Sequence, residues 1–339
     1  MTKKSDHFSE IPAAPADAAA GSSAAAGTGL ASSSKTPPNS VLDGFSATAG
    51  GYIVAAQSSA TVRAYASDIR HFQANGGTVP ATPTQIVEYL AQFAGKLSIA
   101  TLERRLIAIH KAHQEISAIS PMIDAAVKRT MQGIRRTFGT RQRQVAPMVR
   151  DMLLETLVLI DQQQPLKAAR DRALLLLGFA GAFRRSELVA IRMEHLTYLD
   201  HGMEVFLPFS KTDQEGQGRT VFIPNASGNR CPVRALAQWL ELSEIKEGFV
   251  FRAVDRHGRV ARNGLSAQSV ALVVKASVSR VGGDAEKVSG HSLRAGYCTQ
   301  AAVAGLQPWQ IREQTGHKSD ATLAKYIRPI ARRKIPSLL

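Results

Sequence analysis

Apolar residues recur at helical spacing through most of the chain and alternate like strand residues in only a few short runs. Over residues 61–73, Val62, Tyr65, Ile69 and Phe72 fall three and four apart, which predicts an amphipathic helix. Gly76-Gly77 and Pro80 end it. Thr82-Pro83 reads as an N-cap followed by proline in the first turn of a second helix, which points Ile86, Tyr89, Leu90 and Phe93 inward. Ser98 opens a third, with Leu102, Leu106, Ile109 and Ala112/His113 on one stripe. Pro121 breaks it, and a fourth runs from about residue 123 to 138. These segments predict a small helical domain over residues 58–140.

The pattern stops on both sides of that domain. Residues 1–57 are rich in Ala, Ser, Gly and Pro and poor in bulky apolar side chains, so they bury too little surface to offset their ordering entropy. This predicts a disordered tail. Residues 141–147 are polar and basic without periodicity, and read as a linker between domains. Beyond it, helices are expected at 149–162 and 168–182. The second is apolar nearly all round (Ala173-Leu-Leu-Leu-Leu-Gly-Phe179), as a core helix is. Two β-type runs, 203–208 and 219–224, flank a polar loop and predict a hairpin-like pair. A helix at 233–242, a third strand at 249–252 and helices at 266–280, 292–304, 308–314 and 320–326 complete the expected second domain, 148–329. The fold class is therefore mainly α with a small antiparallel sheet in the C-terminal domain, arranged as a two-domain clamp. A tail, 330–339, follows.

Charge narrows the choice of partner. The 339 residues carry 42 Lys and Arg against 27 acidic residues, a net charge of +15. Such a surplus points to a polyanion. Residues 58–145 hold twelve basic and five acidic residues, and Arg104, Arg105, Lys128, Arg129, Arg135, Arg136, Arg141 and Arg143 fall on successive segments. They read as a surface that tracks phosphates. The longest uncharged apolar run, 173–183, is far short of the ~20 residues a membrane span needs, and no signal peptide is visible. Only Cys231 and Cys298 are present, without metal-ligand spacing, so neither a disulfide framework nor a metal site is expected.

The chemistry lies in the C-terminal half. His291 and Arg294, three apart at a helix start, share a face. Gly316-His317 follows, and Tyr326 comes nine residues after His317. Upstream, Gly181-Ala-Phe-Arg184-Arg185-Ser-Glu187-Leu188 closes the apolar helix. A guanidinium gives forked hydrogen bonds to phosphate, and a tyrosine can be a covalent nucleophile. The ordered set H-x-x-R, G-H and Y, preceded by a box written G-x-R-x-x-E-L, resembles the active-site boxes of the tyrosine recombinases, the phage-integrase and Cre-like family.

The resemblance implies a role for each matched residue. Arg184 and Arg294 clamp the non-bridging phosphate oxygens; only the spacing to Glu187 favours Arg184 over Arg185. Lys211, in the hairpin loop, is the general acid for the leaving 5′-oxygen. His291 bonds the phosphate or assists proton transfer, His317 donates to a non-bridging oxygen, and Tyr326 attacks. Glu187, one turn on, orients Arg184 or a neighbour. Thr315, where the family often has Leu, reads as a packing variation. The implied reaction is site-specific cutting and rejoining of double-stranded DNA through a 3′-phosphotyrosine, needing no cofactor, in a homotetramer on two sites. The tail would dock on a neighbouring subunit through Ile330, Ile335, Leu338 and Leu339. A cytoplasmic, nucleoid-associated enzyme of bacterial or phage type is expected, and accessory proteins and target sequence stay open. Two alternatives share parts of the pattern: a type IB topoisomerase, and a DNA-binding regulator with a vestigial site.

Overall fold

The computed structural model describes residues 46–140, 144–210, 216–324 and 326. Arg141, Arg143, Lys211 and the 330–339 tail lie outside them. The chain divides into two units, 1–142 and 143–339.

In the first unit, α1 (Ala47–Ala55) precedes α2 (Ser59–Ala74), α3 (Pro83–Phe93), α4 (Ile99–Glu115) and α5 (Ala125–Phe138). The helix α1 corrects the expectation that all of 1–57 is unstructured; its Tyr52 is largely exposed, so it buries little. Each later start carries a side-chain cap. Ser58 accepts from the Thr61 amide, Thr82 and Gln85 form a capping box, Ser98 accepts from Thr101 and Asp124 from Ala126. Phe72, Ile86, Leu90, Leu102, Ile109 and Val127 meet in the core. One inward position was misread: Val62 is 50% exposed, and the buried residues of α2 are Asp68 and Phe72. A carboxylate can replace an apolar residue there because arginines on α4 neutralise it.

The second unit is built round α7 (Pro165–Ala180), whose residues 168–178 are all buried. Against it lie α6 (Arg150–Ile160), α9 (Pro232–Ser243), α10 (Ala267–Arg280) and α11 (Ser292–Val303). The short α8 (Arg185–Ala190) follows α7 directly, and α12 (Pro308–Thr315) and α13 (Asp320–Ala324) close the described chain. An antiparallel sheet of β1 (Leu196–Leu199), β2 (Gly202–Leu207) and β3 (Arg219–Pro224) has the order β1-β2-β3. Leu207 pairs with Arg219 at the base of the expected hairpin. β1 was not anticipated: its side chains are mostly exposed and carry little alternation. The strand expected at 249–252 starts at its last residue instead, as β4 (Arg252–Val254), paired with β5 (Val260–Gly264). Val250 and Phe251 are buried; the Val250 amide donates to Ile191 O beside an isolated antiparallel bridge between Arg192 and Phe249, and Phe251 O accepts from Leu265 next to the Arg252–Gly264 pair of β4 and β5.

Close backbone approach positions α11. A Cβ on Gly296 would stand 1.9 Å from the Met148 carbonyl oxygen, and one on Gly178 would stand 2.8 Å from Leu293 Cδ1. The Met148 amide in turn donates to the Ser292 carbonyl at 2.9 Å. Gly296→Ala is therefore expected to lower stability by at least about 2 kcal/mol, because the obstacle is backbone and cannot rotate away. Gly133→Ala, on the exposed side of α5 with nothing within 4 Å, is expected to add about 0.5–1 kcal/mol. Denaturant melts of the two variants test the pair; equal effects would contradict the packing described.

Candidate active site

The site begins where α7 ends. The Gly181 amide donates to Leu177 O at 2.9 Å and the Ala182 amide to Phe179 O at 3.0 Å. Ala182 then takes φ +47°, a left-handed conformation that costs a non-glycine residue of order 1–3 kcal/mol. A Cβ on Gly181 would lie 2.1 Å from the Phe183 ring, so glycine is required there. Arg184 caps α8. Its amide donates to Glu187 Oε2 at 2.9 Å and its Nη1 to Glu187 Oε1 at 2.5 Å. Nη1 also donates to Ser210 Oγ at 2.9 Å, and Ser210 donates to Glu187 Oε1 at 3.0 Å. Arg185 is exposed, so the geometry agrees with the spacing in favouring Arg184 as the arginine of this cluster.

Arg294, in the first turn of α11, is only 1% exposed. Its Nη1 donates to the Ala182 carbonyl at 2.7 Å, the group turned by the left-handed residue, and its Nη2 lies 3.1 Å from His317 Nε2. Thr315 Oγ1 is 2.6 Å from Ile311 O and 2.8 Å from His317 Nδ1. Ile311 O can only accept, so the hydroxyl donates to it and accepts from Nδ1–H. Arg294 can only donate, so Nε2 accepts. This network fixes a neutral imidazole. Thr315 is thus no mere packing variation; it sets the tautomer of the next functional side chain. Burial first, and then Arg294, Arg184 and Arg219, push the His317 pKa down to about 3. Burial and Arg184 bring Arg294 to about 10, still protonated at neutral pH. Burial alone would raise the Glu187 carboxyl, but the Arg184 amide and guanidinium, with Arg219, hold it below the usual range.

Tyr326 lies just beyond α13, with its ring centroid 4.8 Å from that of His317. Its amide donates to Leu323 O at 2.8 Å, and the Thr299 hydroxyl stands 3.2 Å from its carbonyl. His291 is half-buried at the N-cap of α11, three residues before Arg294. Arg184, Glu187, Arg294, His317 and Tyr326 therefore come together, and His291 sits at the edge of the same helix start.

Arg219 was not singled out from the sequence. Its Nη1 donates to Gln314 O at 3.0 Å and its Nη2 stands 3.5 Å from Glu187 Oε2. Its Nε is so close to Gly316 that a Cβ there would lie 3.0 Å away. Gly316 also takes φ +68°, so two constraints select glycine. The available signal was a basic residue opening an otherwise apolar strand.

The helical unit divides its basic residues differently. Arg105 is 8% exposed, donates to the Tyr89 hydroxyl at 2.8 Å and pairs with Asp68, so it is a core residue rather than a phosphate contact. Arg135 is exposed but tied to Glu103, and Arg104 to Asp68. Lys128, Arg129 and Arg136 are exposed and show no ion pair among the described residues.

Around His317, among the described residues, three guanidinium groups (Arg184, Arg219, Arg294) face one carboxylate (Glu187). The Nε groups of Arg219 and Arg294 are buried without a hydrogen-bond partner. Uncompensated buried charge is costly, and an anion seated here would relieve it. A phosphate diester, with two non-bridging oxygens and one negative charge, fits that demand. Among the described residues no group of acidic, Cys and His side chains is arranged to hold a metal.

Residues 148–333 match the phage integrase family. An integrase/recombinase xerD homolog of Selenomonas ruminantium is 40% identical over 276 residues, covering 79% of this chain and 81% of the relative. Among solved structures, XerH recombinase bound to a palindromic difH substrate in a post-cleavage complex has a TM-score of 0.54 at 20% identity, over 72% of this chain and 68% of that one. A λ integrase dimer on a COC′ core site has a TM-score of 0.56 at 15% identity, over 84% and 75%. These two support the fold.

The site also predicts how stability responds to acid. A histidine has an ordinary value of 6.5, whereas folded His317 binds its proton only near pH 3. Between those values the unfolded chain holds more protons, so stability falls as pH drops through that window. Glu187 acts in the same direction, its contribution being lost as pH falls through its lowered folded value. The melting temperature of the full chain is expected to fall between pH 7 and pH 4, and His317→Asn to remove part of the fall. Calorimetry across that range checks it; an unaltered slope in the variant would contradict the assignment.

Proposed function

The chain belongs to the phage integrase family and is a tyrosine site-specific recombinase, and we propose that it works through a covalent 3′-phosphotyrosine made by Tyr326. The observation that carries this reading is the Tyr326 ring lying tilted against His317, whose Nε2 accepts from the buried Arg294 in a pocket with surplus positive charge.

In this reading a scissile phosphate enters between Arg184 and Arg294, and each guanidinium gives hydrogen bonds to a non-bridging oxygen. Tyr326 Oη attacks phosphorus in line. The new Oη–P bond forms as the P–O5′ bond breaks, and the phenol proton passes to a base, for which His291 is suited by its place at the head of α11. Lys211, carried between β2 and β3, supplies the proton that the leaving 5′-oxygen needs. The reverse attack, by that hydroxyl or one from a partner strand, reseals the backbone and frees Tyr326. The ester retains the bond energy, so strand joining requires no nucleotide. His317 is kept neutral first by burial and then by the arginines; the phosphate's charge offsets the arginines and so raises its proton affinity, and once protonated Nε2 donates to a non-bridging oxygen. Fixed cations aimed at developing charge are the main catalytic resource of such a site. Exchange between two duplexes calls for four protomers, and the 330–339 tail, apolar and basic by sequence, suits docking on a neighbour.

Two outcomes are expected. Tyr326→Phe should bind duplex DNA as the parent does and form no covalent adduct on a nicked suicide substrate, while Arg294→Ala should slow cleavage by about 100- to 1000-fold. A denaturing gel reads both, and an undiminished adduct with the phenylalanine variant would reject the nucleophile. Deleting residues 330–339 should weaken assembly on paired sites more than binding to one half-site, as gel shifts with single and paired sites would reveal.

A further inference from the structure

Between α2 and α4 lies a carboxylate that serves two arginines unequally. Asp68 is 2% exposed. Its Oδ2 accepts from Arg104 Nε at 2.7 Å and its Oδ1 from Arg104 Nη2 at 2.9 Å. Arg105 Nε stands 3.5 Å from Oδ1 and the Arg105 Nη1 donates to Tyr89 at 2.8 Å, so the carboxylate is anchored from the core side. The Arg104 side chain nevertheless stays 50% exposed. Two parallel hydrogen bonds to one buried carboxylate fix the plane of its guanidinium. They use the edge formed by Nε and Nη2. The other edge, Nη1 with the second Nη2 hydrogen, makes no hydrogen bond among the described residues.

We infer that Arg104, its plane fixed by Asp68, reads a guanine of the target DNA through that second edge. The inference rests on the recombinase reading, which makes a duplex the partner, and adds a base-reading residue to it. Guanine alone presents two acceptors, O6 and N7, side by side in the major groove, spaced for a guanidinium edge. A phosphate contact needs charge but no fixed plane. The carboxylate behind Arg104 weakens its pull on an anion, because the pair is nearly neutral at a distance. The same carboxylate leaves the donor geometry intact and removes the rotamer entropy that a free arginine would lose on binding. Arg129 and Arg136, exposed and without an ion pair among the described residues, have the opposite character and suit phosphate.

The test is selection from randomised duplexes by the full-length chain at one fixed salt concentration, with sequencing of the bound pool. The parent should enrich a guanine at one position of each half-site. Arg104→Ala should lose that preference by about 10- to 100-fold while the other positions keep theirs and the salt dependence of binding is unchanged. Arg104→Lys retains a charge beside Asp68 but lacks the fork, and should flatten the same position while melting like the parent, which covers the case of a misfolded alanine variant. Asp68→Asn should weaken the guanine preference in part. The inference is overturned by uniform weakening across all sequences with a salt slope reduced by about one, which would mark a phosphate contact, or by an unchanged profile. A parent that enriches no sequence at all would instead count against site-specific recognition, and so against the reading beneath it.

Discussion

Arg294 is the constraint on which the site depends. A guanidinium that is 1% exposed, with another arginine among the groups that lower its pKa, is an expensive thing to fold around. Its direct partners are a backbone carbonyl and a neutral imidazole, neither of which cancels its charge. The carbonyl is there because Ala182 adopts a left-handed conformation at the end of α7. The imidazole accepts because Thr315 holds its other nitrogen. Strain, burial and a fixed tautomer thus combine to present a charge that the protein itself does not neutralise. A fold optimised for stability alone would place an acid beside Arg294. Here the one nearby carboxylate among the described residues, Glu187, is bonded to Arg184 and lies near Arg219.

The scaffold explains how such a charge is tolerated. α7 and α11 are buried nearly throughout, and glycine at 178 and 296 lets them approach leucine side chains and the backbone at Met148. Side chains on those helices have little room to relax, so the site's geometry is held by packing rather than by its own polar bonds. The functional groups then sit at helix ends: Arg184 before α8, His291 before α11, His317 after α12 and Tyr326 after α13. Backbone direction changes at such ends, which lets groups from distant parts of the chain face one point.

Much of this was legible in the residues. Capping residues and three-to-four spacing located the starts of α2 to α5 to within about two residues, because those signals are local, but not α1, which has little apolar periodicity. The spacing of Arg184 from Glu187 and of His291 from Arg294 carried the site for the same reason. What escaped notice depends on partners far along the chain. Asp68 takes an inward position because Arg104 and Arg105 wait on another helix. Thr315 matters through His317 and the Ile311 carbonyl together. Arg219 looks like an ordinary strand-edge cation until Gln314, nearly a hundred residues on, is placed against it. The strand expected at 249–252 is displaced to 252–254 because the chain at Phe249 makes only a single bridge, to Arg192, before it pairs with β5 from Arg252 on.

The two units also show why a count of basic residues misleads. In the helical unit the exposed cations Arg104 and Arg135 are paired with acids, although water would have satisfied them. In the second unit the half-buried Arg219 and the buried Arg294 keep unpartnered Nε groups, although water cannot reach those atoms. Stability alone favours the reverse distribution. A paired surface arginine gives up part of its general pull on phosphate and gains a fixed orientation, which suits reading the shape or identity of a partner. A buried arginine without a counter-ion gains field strength at one point, which suits holding and activating a single phosphate. The net charge of +15 contains both kinds, and only the placement of the acids separates them.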